Sequence, residues 1–345
     1  MLTDSREGTI SCDFSVLPIT SQKGKKVNAL KALGVAILVF LSAIFGFGLK
    51  AVTTPPQAAP IHAPDTNAVV LLKVKFSAYY KDANDPNAKW SNKPAAMESR
   101  CTGFIVGLDD NAAKIFTADH CVSLKEAAKE LKQSLDPGSL FGMSDPDRIQ
   151  LKSPDSDDPV SREVLVFRGD NVNGSRFPER GSEPQPDPSN AVKATVEDEL
   201  PVDVQDEALL SVQSLPGPLS VLRLAYSQGN VGDQVAATGF PASLDDEGGT
   251  DPRLVTTFGH ITSDPKVWTK DGANSITTDA QIWHGMSGGP LTNADGKVIG
   301  FNDKMSRDVA METYPTNLAD MKDFLGKHGI YPAQPHRIFG MLGVR

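Results

Sequence analysis

Residues 285 to 290 read Gly285-Met286-Ser287-Gly288-Gly289-Pro290, a serine set between glycines. A hydroxyl in such a run can be offered to a substrate while the backbone N–H groups of Gly285 and Ser287 point at the same spot. Attack on a carbonyl and retention of the resulting oxyanion need that arrangement. A serine hydroxyl is a weak nucleophile until a base takes its proton, and histidine titrates near neutral pH. His120 is the candidate, in the run Ile115-Phe116-Thr117-Ala118-Asp119-His120-Cys121-Val122, where a short apolar strand leads into the base. A carboxylate is then needed to orient the imidazole. Asp206 is favoured, because the Ala208-Leu209-Leu210 run after it marks a buried strand that can keep the carboxylate out of bulk water. Asp203 is the rival, and Glu207 a more distant third.

Together, Thr117-Ala118-Asp119-His120-Cys121, Asp206-Glu207-Ala208-Leu209-Leu210 and the serine run resemble the three signatures of the trypsin-like (chymotrypsin-fold) serine proteases, in that family's order. Val231 to Pro241, Thr278-Asp279-Ala280 and Gly296 to Asn302 resemble its bacterial, HtrA-like branch. The resemblance covers about residues 66 to 330. It implies an all-β fold of two six-stranded antiparallel barrels, with His120 and Asp206 from the first, Ser287 from the second, and a C-terminal helix. It implies oxyanion donors at Gly285 and Ser287, and a disulfide between Cys101 and Cys121. Closing that loop contributes about 3 kcal/mol in the chain-entropy model. Two buried free thiols are the alternative, and Cys12 has no partner in the chain.

For specificity, the resemblance places Gln281 at the main pocket and Phe301 and Asn302 on the strand that pairs with substrate. No acid at 281 argues against a strong Arg or Lys preference, and Asp279 keeps that option open if the loop is offset. A small or medium apolar side chain is the expected choice. The chain departs from the family in four ways. Asp119 replaces a small residue, and is read as solvent-facing. Met286 replaces the Asp that pairs with a new N-terminus in the digestive enzymes, so activation by that ion pair is not expected. The stretch from His120 to Asp206 is long. The PDZ domain usual in the HtrA-like branch is not expected here.

Positioning these residues falls to many short strands. Apolar runs at 68–76, 101–107, 113–117, 163–167, 191–196, 207–212, 234–239, 254–261 and 297–301 alternate with Gly, Pro, Asp and Asn turns, a barrel or sandwich pattern. Helices are expected at Leu124–Leu135 and Asn317–His328, the second with a stripe of Leu318, Met321, Phe324 and Leu325. Residues 136–190, dense in Pro, Asp, Ser and Gly, read as surface loops inserted into the first barrel.

Ala32–Leu49 is an uncharged, apolar stretch of 18 residues, about 27 Å as a helix and close to a bilayer's hydrocarbon thickness. Lys23, Lys25, Lys26 and Lys31 precede it, so the positive-inside rule keeps the N-terminus cytoplasmic and exports the chain beyond residue 50. A cleaved signal peptide is the competitor. The expected organisation is a tail at 1–31, a transmembrane helix at 32–49, a Pro-rich linker at 50–66, a protease domain at 67–332 and a tail at 333–345. A formal net charge of −9 argues against nucleic acid as a partner. The six histidines show no metal-ligand spacing and no phosphate-binding glycine loop occurs, so neither metal nor cofactor is expected. The expected activity is a membrane-anchored serine endopeptidase acting on exported proteins or peptides in the periplasm or an equivalent space. A protease fold kept as a silent binding module, or an esterase with the same triad, are the alternatives.

Overall fold

The alternation in Leu72-Lys73-Val74-Lys75-Phe76 becomes one strand whose Leu, Val and Phe side chains are buried while Lys75 faces out. That strand, β1 (Val69–Asp82), opens the first of two sheets. It is joined there by β2 (Ala95–Asp109), β3 (Ala112–Thr117), β4 (Ile149–Lys152), β5 (Ser161–Arg168), β6 (Val192–Leu200) and β7 (Glu207–Gln213). The second sheet holds β8 (Gln234–Gly239), β9 (Val255–Val267), β10 (Asn274–Thr278), β11 (Pro290–Asn293), β12 (Val298–Met305) and β13 (Thr313–Asn317). Two helices, α1 (Leu124–Leu135) and α2 (Leu318–Lys327), complete the fold.

The computed structural model describes residues 61–109, 112–136, 138, 145–168, 191–242, 253–267, 274–305 and 313–332, all within the unit Ala59–Arg345. The expected N-terminal tail, the transmembrane helix at 32–49, the linker up to residue 60 and the tail at 333–345 lie outside the described residues. Among those described, no helix is long and apolar enough to cross a membrane.

Both expected barrels are recognisable. The second sheet is a closed antiparallel barrel in the order β10-β13-β12-β11-β8-β9. The first is a seven-stranded sheet, order β2-β3-β7-β6-β5-β1-β4, in which β2 also pairs with β1. Six of its strands therefore form a ring of ladders, and β4 is an addition on the far end of β1, Tyr79 opposite Lys152. Antiparallel rings of this kind leave few open edges, which is how short strands become stable.

Four strands were not legible as strands: β4, β10, β11 and β13. None shows a long apolar alternation, and β11 begins on Pro290, tolerated at a strand's first residue because no ladder donor is needed there. β4 is placed by pairing with β1, far back along the chain, whereas β10, β11 and β13 each join one sequence neighbour, β9 or β12, and one more distant strand of the second barrel. The 136–190 insertion is not all loop, since it carries β4 as well as β5, whose apolar run at 163–167 was expected as a strand.

One continuous apolar core runs through the fold. Phe116 of β3 lies 5.4 Å from Phe104, 5.0 Å from Phe301 of β12 and 6.1 Å from Phe324 of α2, ring centre to ring centre. It therefore joins the first barrel to the second and to the C-terminal helix. The α2 stripe of Leu318, Met321, Phe324 and Leu325 is buried as its spacing predicts, and Gly329 at φ +74° ends the helix.

Candidate active site

β3 delivers Thr117 and Ala118 in extended conformation, and the chain then turns once, Val122 N–H donating to Asp119 O at 2.8 Å. This turn holds His120 at the rim, its side chain 32% exposed. Cys121 is bonded to Cys101 of β2, tying the turn to the neighbouring strand as the resemblance implied.

The partner carboxylate comes from the β6–β7 turn. Val204, Gln205 and Asp206 all direct N–H groups at Pro201 O, at 2.7, 3.1 and 3.2 Å, and Asp206 takes a left-handed φ of +57°. A non-glycine residue there costs about 1 kcal/mol. Three contacts to the histidine turn offset it. Asp206 O accepts from Asp119 N–H at 3.1 Å, Oδ1 accepts from His120 N–H at 2.7 Å, and Oδ2 lies 2.8 Å from His120 Nδ1. Burial pushes the Asp206 carboxyl upward, but the facing His120 charge, the His120 ring, a hydrogen bond with Asp303 and the His120 N–H outweigh it. The group is held below the ordinary carboxylate value.

The serine loop depends on glycine at two points. Gly285 has φ +91° and Gly288 φ +78°; a Cβ on Gly288 would lie 2.2 Å from Thr117 Oγ1, and one on Gly285 would lie 2.4 Å from Phe240 O. Met286 between them is fully buried, so no charge is present where an activating ion pair would form. Among the described residues, neither Gly285 N–H nor Ser287 N–H is used in a backbone hydrogen bond outside helices and strands. The loop is held against the first barrel by Thr102. Its N–H donates to Ser287 O at 2.9 Å, its hydroxyl donates to Gly285 O at 2.8 Å and accepts from Phe240 N–H at 2.9 Å, and its carbonyl accepts from Thr117 Oγ1 at 2.8 Å. Ser287 is thereby brought beside the Cys101–Cys121 link, its carbonyl 3.9 Å from Cys121 Sγ.

The remaining expected residues divide sharply. Asp203 is exposed and engages Lys125 at 3.3 Å, away from the histidine. Glu207 is fully buried and its carboxyl oxygens find no hydrogen-bond partner among the described residues; burial and the nearby Asp320, Asp206 and Asp323 push it well above the ordinary value. Gln281 is exposed at the loop that leads to Ser287. Phe301 and Asn302 lie on β12, the strand expected to pair with substrate, and their side chains are buried. Phe301 packs on Phe116, and Asn302 Nδ2 donates to Thr238 O at 3.0 Å and Met286 O at 3.3 Å, so their side chains hold the loop from beneath. Asp279 is drawn to β9, where Oδ1 accepts from His260 N–H and Oδ2 lies 3.7 Å from His260 Nδ1.

Asp119 also corrects the sequence reading. It is 1% exposed rather than solvent-facing. Burial, with repulsion from Glu199 and Asp206, pushes its carboxyl up to about 7. Thr102 and Asp303 are the residues sequence reasoning missed. Thr102 carried one weak signal, a hydroxyl in the otherwise apolar strand Cys101 to Val106; Asp303 carried none.

A family model for the trypsin-like peptidase domain matches residues 101–301. A stretch of 108 residues, 31% of this chain, is 35% identical to the putative serine protease HhoA of Synechocystis sp.. That match spans about a quarter of the relative's length, 27% of it. Among solved structures, the inactive form of the Rv3671c protease aligns with a TM-score of 0.43 and 18% identity, covering 79% of this chain and 100% of that one. A serine-to-alanine mutant of the same M. tuberculosis protein aligns at 0.42 and 18%, covering 80% and 98%.

Proposed function

The chain belongs to the trypsin-like peptidase domain family, and we propose accordingly that it is a serine endopeptidase in which Ser287, His120 and Asp206 form the catalytic triad. The observation that carries this is the paired contact of Asp206 with both the backbone N–H and Nδ1 of His120, at 2.7 and 2.8 Å. With Nδ1–H directed at the carboxylate, Nε2 is left as the basic nitrogen. Ser287 Oγ attacks the peptide carbonyl and its proton passes to His120. The N–H groups of Gly285 and Ser287 receive the oxyanion. His120 then gives its proton to the leaving amine, and a water, activated by the same imidazole, releases the acyl group.

Substrates on this reading are proteins or peptides, with Gln281 at the base of the side-chain pocket and a small or medium apolar residue before the scissile bond. The domain acts outside the cytoplasm, anchored by residues 32–49. The Cys101–Cys121 bond supports such a location, since structural disulfides persist in oxidising compartments.

The test is covalent labelling. A fluorophosphonate probe should modify the wild-type protein at Ser287 and leave the Ser287→Ala and His120→Ala variants unlabelled. Casein-type substrate should be cleaved by the wild type and not by Ser287→Ala. Equal cleavage by the two proteins would overturn the proposal. Labelling without amide hydrolysis, accompanied by ester turnover, would point to an esterase.

A further inference from the structure

The Asp206 carboxylate has a second acidic neighbour. Asp303 lies on β12 of the second barrel, and one of its carboxyl oxygens, one from Asp206 and a His120 ring nitrogen are all within 4.8 Å of one another. The Asp303 side chain is near enough to act on Asp206 as a hydrogen-bonding neighbour, and this helps hold the Asp206 carboxyl down. An ionised carboxylate only accepts hydrogen bonds, so two carboxyl groups can share one only by keeping a proton between them. Asp206 already accepts from His120 N–H and faces His120 Nδ1, contacts that favour its charged form. The retained proton therefore belongs on Asp303.

The surroundings act in the same direction. Asp119, from the histidine turn, is buried against Asp206. Glu199 of β6 faces that turn too and is engaged by Arg162 at 2.7 Å. Glu207 opens β7 beside Asp206, with Asp320, Asp323 and Lys327 of α2 around it. His120, Arg162 and Lys327 are basic groups that face this acidic set, Arg162 being engaged by Glu199, and Asp303 Oδ1 is shielded from solvent. A further full negative charge at 303 would add to repulsion that is already present; a neutral acid there adds none.

Resting on the endopeptidase reading above, we propose that Asp303 is a positioning residue that keeps its proton at neutral pH and donates it to Asp206, so that the second barrel holds the carboxylate that orients His120. Asp206 and His120 both come from the first barrel, and Ser287 from the second. A hydrogen bond from β12 to Asp206 couples the alignment of the base to the docking of the barrel that carries the nucleophile. Loss of that proton at higher pH sets two like charges within 4.8 Å and releases the coupling.

Two experiments test this, one of them independent of catalysis. In a Ser287→Ala protein labelled with carboxyl-13C aspartate, the Asp303 resonance, assigned by its disappearance in Ser287→Ala/Asp303→Asn, should lie at the position of a protonated acid at pH 7. An ionised position at pH 7 would overturn the proposal whether or not the protein is a protease. In the active protein, Asp303→Ala should lower kcat by about tenfold to a hundredfold with KM within about twofold, the effect of losing one hydrogen bond to a charged group. Asp303→Asn, which still donates from its amide, should recover the greater part of that loss. Equal impairment of Asn and Ala, or a kcat in Asp303→Ala equal to wild type, would overturn it. A protonated Asp303 in a protein that fails to cleave peptides would instead leave the pair intact and remove the endopeptidase reading.

Discussion

At the scale of single residues, the site gathers carboxyl groups whose charge states differ. Asp206 is held ionised by its contacts with His120, and Asp119, one residue before that histidine, is pushed up to about 7. These shifts act on stability through linkage. The folded-state value of Asp119 lies above its ordinary 3.8, so the folded protein binds more protons between about pH 4 and pH 7, and its contribution to stability declines as pH rises through that window. Asp119→Asn should therefore stabilise the protein at pH 8 by roughly 1–3 kcal/mol, the usual cost of an unsatisfied buried polar group. The gain should shrink toward pH 4, read by denaturant titration at each pH. A gain that grows toward acid would contradict the assignment. Asp206→Asn keeps the shape of the side chain but favours the wrong imidazole tautomer, so kcat should fall on the order of 10³- to 10⁴-fold with folding retained.

Strands and turns decide whether those residues meet. Thr102, fully buried in β2, makes four hydrogen bonds that join the serine loop, β8's exit and the histidine strand. In Thr102→Val the two backbone bonds survive and the two through the hydroxyl are lost, leaving Phe240 N–H and Gly285 O buried without that partner. A loss of about 1–3 kcal/mol in unfolding free energy is expected, with a lowered rate of fluorophosphonate labelling. Gly288→Ala is more severe. Its φ of +78° and the 2.2 Å approach of Thr117 Oγ1 leave no room for a methyl group, so the loop must move and labelling of Ser287 should be lost even if circular dichroism still reports a β fold.

For the whole molecule, the joint between barrels is apolar at its centre and polar at the site. Phe116 touches aromatic rings from both barrels and from α2. Phe116→Ala should cost about 3–5 kcal/mol, measured as a lowered denaturation midpoint, and should weaken barrel docking rather than either ring of strands alone. The Cys101–Cys121 bond closes a loop with a sequence separation of 20 and contributes about 3 kcal/mol in the chain-entropy model. Cys101→Ser/Cys121→Ser should lower the melting temperature by an amount reproduced in wild type by reductant.

The candidate residues and most of the strands were readable along the chain because both signals are local. A glycine-framed serine, a histidine after an apolar strand and alternating runs such as Leu72 to Phe76 depend only on neighbouring residues and on the two-residue period of a strand. Helices α1 and α2 were equally plain from their own periodicity. What the fold alone decided concerns contacts across long separations. Asp206 and His120 meet 86 residues apart in sequence, and that contact selects Asp206 over Asp203, its near neighbour on the same turn. The inward face of Asp119, the burial of Phe301 and Asn302, and the arrival of Asp303 beside the His120–Asp206 pair likewise depend on how the strands pack in three dimensions. Burial and hydrogen-bond partnership are properties of that packing, and no short stretch of sequence contains them.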